Sequence, residues 1–195
     1  MARVDNTVFY NASIEKYKQT AQGVQWASKS RQVARFEIFR NLLKDEISRA
    51  SVVDAGCGFG DLYHYLKSQK SLPREYIGLD SHAKMVTIAR ASTQQKILHL
   101  DVLTSVLPEA DYYLCSGALN ILEPFETLLF IKQMLRYAKK GLIFNILKGE
   151  NQSLTYNKFM PKDMQKKLSF FDGDIEIIEA YLDDDFTVFM KKKLD

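Results

Sequence analysis

Asp54, Gly56, Gly58, Gly60, Asp80 and Asp101 are the residues of this chain whose types and spacing could do chemistry. The run Val52-Val53-Asp54-Ala55-Gly56-Cys57-Gly58-Phe59-Gly60 passes from β-branched residues through an acid into three glycines at alternate positions. That order predicts a buried strand ending in a turn whose inner wall carries no side chains. A helical pattern, Asp61 to Lys67 with Leu62, Tyr65 and Leu66 apolar, follows at once. Strand, glycine loop and helix N-terminus in sequence make a seat for a nucleotide-like ligand, because the backbone can approach it closely and unpaired N–H groups point at it. A second apolar run, Glu75 to Leu79, ends in Asp80, 20 residues beyond Gly60. A carboxylate there can accept hydrogen bonds from both vicinal hydroxyls of a ribose. The competing role for Asp80 is to cap the helix that begins at Ser81.

Which nucleotide is decided by the glycine spacing. The dinucleotide pattern G-x-G-x-x-G would need its third glycine at position 61, which holds Asp61, so the NAD fingerprint fails there. What remains, D-x-G-x-G-x-G, resembles the first motif of the class I S-adenosylmethionine-dependent methyltransferases, and the resemblance extends over residues 30–195. It implies an α/β fold: a Rossmann-like, doubly wound, seven-stranded, mostly parallel sheet with an antiparallel C-terminal hairpin and helices on both faces. Residues 1–29 would form a lead-in or lid. The resemblance also implies S-adenosylmethionine as methyl donor and S-adenosylhomocysteine as product, with contacts from Asp54, Ala55, Gly56, Gly58, Gly60, Asp80, Ser81, Asp101, Val102 and Ser116. In that arrangement Asp80 takes the ribose. Asp101 accepts from the adenine amine while the backbone of Val102 meets a ring nitrogen, and the methionine end passes over Ser116 and Gly117.

The elements that must position these residues can be read in order. From Ser28 to Ser48, Phe36, Phe39, Leu43 and Ile47 recur at helical spacing, with Arg31, Arg35, Arg40 and Lys44 assigned to the opposite face. In the resembling family such a segment folds over the cofactor; as a sequence pattern it is equally a helix that only covers core. A helix over Ser81–Ser92 leads to a third strand, Lys96–Leu100, in which His99 reads as packed. Ala110–Gly117 is the fourth strand, ending in small residues that leave room for a ligand. Pro124 opens a helix that Lys139-Lys140-Gly141 should close. Gly141–Leu147 is a fifth strand, Pro161–Leu168 a weak helix, and Ile175–Tyr181 with Phe186–Lys191 a closing antiparallel pair.

A methyl on a sulfonium needs no covalent nucleophile or metal, and alignment alone can lower the barrier by about 7 to 11 kcal/mol. No Ser/His/Asp or Cys/His set stands out, no metal is assigned, and catalytic residues stay unassigned. The proline pair of base-amine methylases is missing from Cys115-Ser116-Gly117-Ala118-Leu119-Asn120, which turns the reading toward a small-molecule acceptor. Tyr17, Trp26, Asn120, Tyr156 and Asn157 are the candidate acceptor contacts. His64 and His82 fall at helix starts, where solvent-facing or capping roles suffice. The alternative of another class is a catalytically silent S-adenosylmethionine-binding module that regulates a partner.

Composition narrows the rest. With 195 residues, 46% of them hydrophobic, the chain can bury a substantial core. A net charge of +3 spread along the chain offers no concentrated basic stripe for nucleic acid. Without a long apolar run or a signal-like N-terminus, the expected setting is cytoplasmic and off the membrane. Cys57 and Cys115 read as small core residues of a reducing compartment. Oligomeric state is not legible.

Overall fold

The structure, a computed structural model, describes residues 28–150 and 156–193. Its elements are α1 (Lys29–Leu43), β1 (Ser51–Ala55), α2 (Asp61–Ser68), β2 (Glu75–Asp80), α3 (Ala83–Thr93), β3 (Lys96–His99) and β4 (Ala110–Ser116). They continue with α4 (Pro124–Tyr137), β5 (Ala138–Lys148), β6 (Lys158–Phe159), α5 (Pro161–Lys167), β7 (Gly173–Ile178) and β8 (Asp185–Lys192). The sheet order is β3-β2-β1-β4-β5-β8-β7, with the short β6 paired parallel to the end of β5. The first five strands are parallel, and β8 runs antiparallel to both β5 and β7. This is the doubly wound, mostly parallel sheet with an antiparallel C-terminal pair, enlarged to eight strands by β6, which the sequence pattern did not signal.

Alternation along each central strand feeds two cores. Val52, Tyr112 and Ile143 face one side with Phe36, Phe39 and Leu43 of α1 and Leu62 and Leu66 of α2. Val53, Tyr113, Leu142 and Phe144 face the other, with Ile131, Met134 and Leu135 of α4. Because both faces are covered, the strands read as near-continuous apolar runs, and β1 is buried at all five positions.

Three expectations change in the folded chain. Arg35 does not join the outer face of α1: at 4% exposure it is buried beside Phe36, because Asp185, fully buried at the start of β8, accepts from its guanidinium. Lys139, Lys140 and Gly141 do not close α4; the helix passes straight into β5, and these residues belong to the strand. Gly141 serves the sheet there, since a Cβ would lie 2.6 Å from the Met190 carbonyl oxygen of β8. His99, expected to be packed, is exposed, because β3 is an edge strand and its ring pairs outward with the Ser81 carbonyl at 2.9 Å. Cys57 and Cys115 are both buried free thiols. Among the described residues no helix is long and apolar enough to cross a membrane.

Candidate active site

Three neighbouring strands, β1, β2 and β3, deliver their carboxyl ends to one edge of the sheet, and the loops after them enclose a cleft. It spans about 1140 Å³, solvent at its mouth included. The loop after β1 closes on β2: the N–H groups of Gly56 and Cys57 both donate to the Leu79 carbonyl, at 2.8 and 2.9 Å. Gly56 and Gly60 adopt left-handed backbone, φ +77° and +86°. A Cβ on Gly56 would lie 2.5 Å from the Ala118 methyl, and one on Gly60 2.4 Å from Thr93 Cγ2. The first glycine therefore lets the loop pass close to the turn after β4. The second lets α2 start against α3.

Asp80 is nearly buried and does two backbone jobs at once. Its Oδ2 accepts from the Gly58 N–H at 2.9 Å and its Oδ1 from the His82 N–H at 2.8 Å, so it ties the glycine loop to β2 and starts α3. Burial pushes its carboxyl pKa up, against the pull of these two N–H groups. An ionised carboxylate has about four lone-pair sites, so two remain on Asp80 for a ligand. The ribose role and the capping role are compatible.

Asp54, 2% exposed, receives the Tyr76 hydroxyl at 2.6 Å. Burial raises its pKa to about 7, the Tyr76 hydrogen bond opposing and the charges of Asp80 and Asp61 adding to the rise. Asp101 begins a turn in which its Oδ1 accepts from the Leu103 N–H at 2.9 Å. Its Oδ2 has no partner among the described residues.

Of the residues singled out in the sequence, Asp54, Gly56, Gly58, Asp80, Ser81, Asp101, Val102, Ser116, Asn120 and Tyr156 line this cleft. Ala55 and Gly60 stand behind it, Ala55 fully buried in the sheet and Gly60 in the contact between helices. Asn157 is also behind the wall, where its Nδ2 donates to Thr127 Oγ1 at 2.8 Å. Tyr17 and Trp26 lie outside the described residues.

The resemblance implied that α1 folds over the cleft, but sequence reasoning named none of the residues it supplies to the wall: Gln32, Arg35 and Phe36. Gln32 and Arg35 sit three residues apart in the same stripe as Phe36, Phe39 and Leu43, and all five are buried. A polar pair inside an apolar stripe was the available signal. Gln32 donates to Asp61 Oδ2 at 3.1 Å, and Arg35 reaches Asp185 through Nε at 2.8 Å and through Nη2. Tyr181 donates to the other oxygen of Asp185, and Arg31 pairs with Asp184. Burial raises the Asp185 pKa while Arg35 opposes the rise.

The chain is similar to known proteins in part of its sequence and in its fold. Residues 52–141, from β1 into β5, match the model of a family described as a methyltransferase domain. A search of the curated proteins finds no match. Among solved structures, magnesium protoporphyrin IX methyltransferase of Synechocystis PCC 6803, with S-adenosylhomocysteine bound, superposes with a TM-score of 0.73 at 16% identity, covering 97% of this chain and all of the other. The N-methyltransferase NodS of Bradyrhizobium japonicum WM9, also with S-adenosylhomocysteine, gives 0.70 at 14% identity, covering 96% of this chain and 98% of that one.

Proposed function

We propose that this chain, whose residues 52–141 match the model of a methyltransferase domain, is a class I S-adenosylmethionine-dependent methyltransferase that moves the methyl group to a small-molecule acceptor by direct in-line displacement. The observation that carries the reading is the convergence of the glycine loop, Asp80 and Asp101 from three adjacent parallel strands on one cleft. The domain would span residues 30–195, with residues 1–29 as its lead-in or lid.

When bound, S-adenosylmethionine supplies an activated methyl on sulfur, so the work left to the protein is binding, alignment and exclusion of water. Asp80 would accept the ribose hydroxyls with the lone pairs that Gly58 and His82 leave over. Asp101 Oδ2 would accept from the adenine amine, and Val102, almost fully buried in the cleft wall, would give the ring an apolar seat. Asp54, near half-ionised at neutral pH, would settle as a carboxylate facing the ammonium of the methionine end. Asn120 and Tyr156, with Gln32 and Arg35 from α1, line the remainder of the cleft, where an acceptor would approach.

Calorimetric titration with S-adenosylhomocysteine and with NAD tests this. Binding of the first at micromolar strength and none of the second is expected; binding of NAD alone would overturn the reading. Release of S-adenosylhomocysteine from S-adenosylmethionine with any acceptor of a small-molecule panel would then separate an active transferase from a silent module.

A further inference from the structure

The outer side of α4 carries an apolar stripe that the fold leaves uncovered. Phe125, Leu129, Lys132 and Arg136 recur at helical spacing and are all exposed, so they share the face opposite the buried Ile131, Met134 and Leu135. Phe125 is 64% exposed and Leu129 50%. Phe170, 46% exposed in the turn after α5, joins the stripe through Lys132, whose Nζ lies 4.6 Å from the centre of its ring. Among the described residues the one other large apolar side chain so exposed is Val106, so these three form a patch rather than a scatter.

The cations around this patch are left without partners. Lys158, Lys166 and Lys167 border a hollow that begins at Pro124, the residue before Phe125. Neither these three nor Lys132 and Arg136 pair with a carboxylate among the described residues, whereas Lys29, Lys139 and Lys148 pair with Asp61, Glu109 and Glu179. The acids of the hollow are Glu150 and Asp163, and the face keeps a surplus of positive charge.

We propose that this face, with Phe125, Leu129 and Phe170 inside their border of cations, docks against an anionic lipid bilayer, in place of the off-membrane setting expected from the sequence. That expectation rested on spanning runs and leaders, which bear on crossing a bilayer and not on lying against one. The inference stands apart from the methyltransferase reading. Apolar side chains on an exposed helix can enter the headgroup boundary while lysines and arginines beside them meet the anionic leaflet. A second copy of the chain fits less well, because a two-fold contact sets the patch on itself, cation against cation. The hollow takes in none of the three apolar side chains, so it offers a partner's apolar helix no groove. Lys132 already covers one face of Phe170, where a nucleic-acid base would stack.

Flotation of the full chain with vesicles of phosphatidylcholine alone, or of phosphatidylcholine and phosphatidylglycerol in equal parts, tests this. The chain should float with the anionic vesicles, far less with the neutral ones, and be released as salt rises. Phe125→Gln combined with Leu129→Gln should weaken binding about tenfold, through the apolar surface withheld from the interface. Lys166→Gln combined with Lys167→Gln should weaken it about tenfold or more, because two charges leave the field of the leaflet. All four positions lie outside the cleft, and an unchanged melting temperature verifies that each variant folds. No flotation, equal flotation with both vesicles, or flotation that either variant retains in full overturns the proposal. So does a chain that ignores the vesicles but pairs with itself in sedimentation, shifts single-stranded RNA or binds polyglutamate; the face would then serve a second copy, a nucleic acid or an acidic protein.

Discussion

The two ends of the cleft are built by different means. At the glycine-loop end, the contacts join residues close in the chain: Gly58 to Asp80 across 22 positions, His82 to Asp80 across two, Leu103 to Asp101 across two. At the other end the wall is assembled from afar. Arg35 meets Asp185 across 150 positions. The first end is mostly backbone shaped by glycine, with acids holding it in place; the second is mostly side chains held by one another. A seat made of backbone depends on few residue types, whereas a wall made of paired side chains is free to change with its ligand, so long as each partner changes too.

The sharpest way to break that contrast is to remove Arg35. Arg35→Met should cost about 3–5 kcal/mol of unfolding free energy, because it leaves the fully buried Asp185 with an uncompensated charge. Asp185→Leu combined with Arg35→Met should recover most of that loss, since the cost belongs to the broken pair rather than to its absence. Urea unfolding of the two variants decides it. A single variant as stable as wild type would mean that the far end of the cleft does not depend on this long-range pair.

Asp54 lies between the two ends and tests them through pH. In the unfolded chain its carboxyl titrates near 3.8, and in the folded protein at about 7. Between those values the folded state keeps a proton that the unfolded state has released, so stability falls as pH rises from about 4 to 7 and the deficit is complete above 7. Asp54→Asn cannot ionise. Its stability relative to wild type should therefore rise from near parity at pH 4 to an advantage of about 4 kcal/mol at pH 8. A difference that does not change with pH would show that Asp54 does not titrate in this window.

Legibility follows the same division. The glycine loop, Asp80 and Asp101 could be read because each closes a local strand-to-helix unit, whose periodicity and turn chemistry are written in consecutive residues. The paired buried faces of β1, β4 and β5 were legible for the same reason. Arg35 was assigned to the wrong face because its burial depends on Asp185, and no local pattern announces a partner so distant. Lys139 and Lys140 resembled a helix end although β5 had already begun, and Glu46, 3.3 Å from Lys140 in space, lies 94 positions away in the chain. β6 went unread because its two residues gain strand character only by pairing with Leu147 and Lys148.

Asp80→Asn sharpens the comparison at the glycine-loop end. The amide can accept from only one of the Gly58 and His82 N–H groups, and it offers the ribose a donor in place of lone pairs. Affinity for S-adenosylhomocysteine should fall about 10–100-fold, the usual loss for a hydrogen bond with a charged partner. Because both ligands carry the ribose, 5′-methylthioadenosine, which shares the nucleoside of S-adenosylhomocysteine and lacks its amino-acid end, should weaken equally. A selective effect at Asp80 would mean that the cleft is occupied in the reverse orientation.

The smallest effect is expected at the polar tie on the surface of α1. Lys29 Nζ lies 3.2 Å from Asp61 Oδ1, with Lys29 63% and Asp61 26% exposed. Asp61 also accepts from Gln32, so its carboxylate keeps a partner when the lysine is removed. Lys29→Ala should therefore cost less than about 1 kcal/mol and lower the melting temperature by no more than about 2–4 °C, with the difference fading in high salt. The helix is held by Phe36, Phe39 and Leu43 in the core and by the buried Arg35 pair, against which an exposed lysine adds little. A loss at Lys29 as large as that at Arg35 would show that the outer tie, and not the buried one, keeps α1 over the cleft.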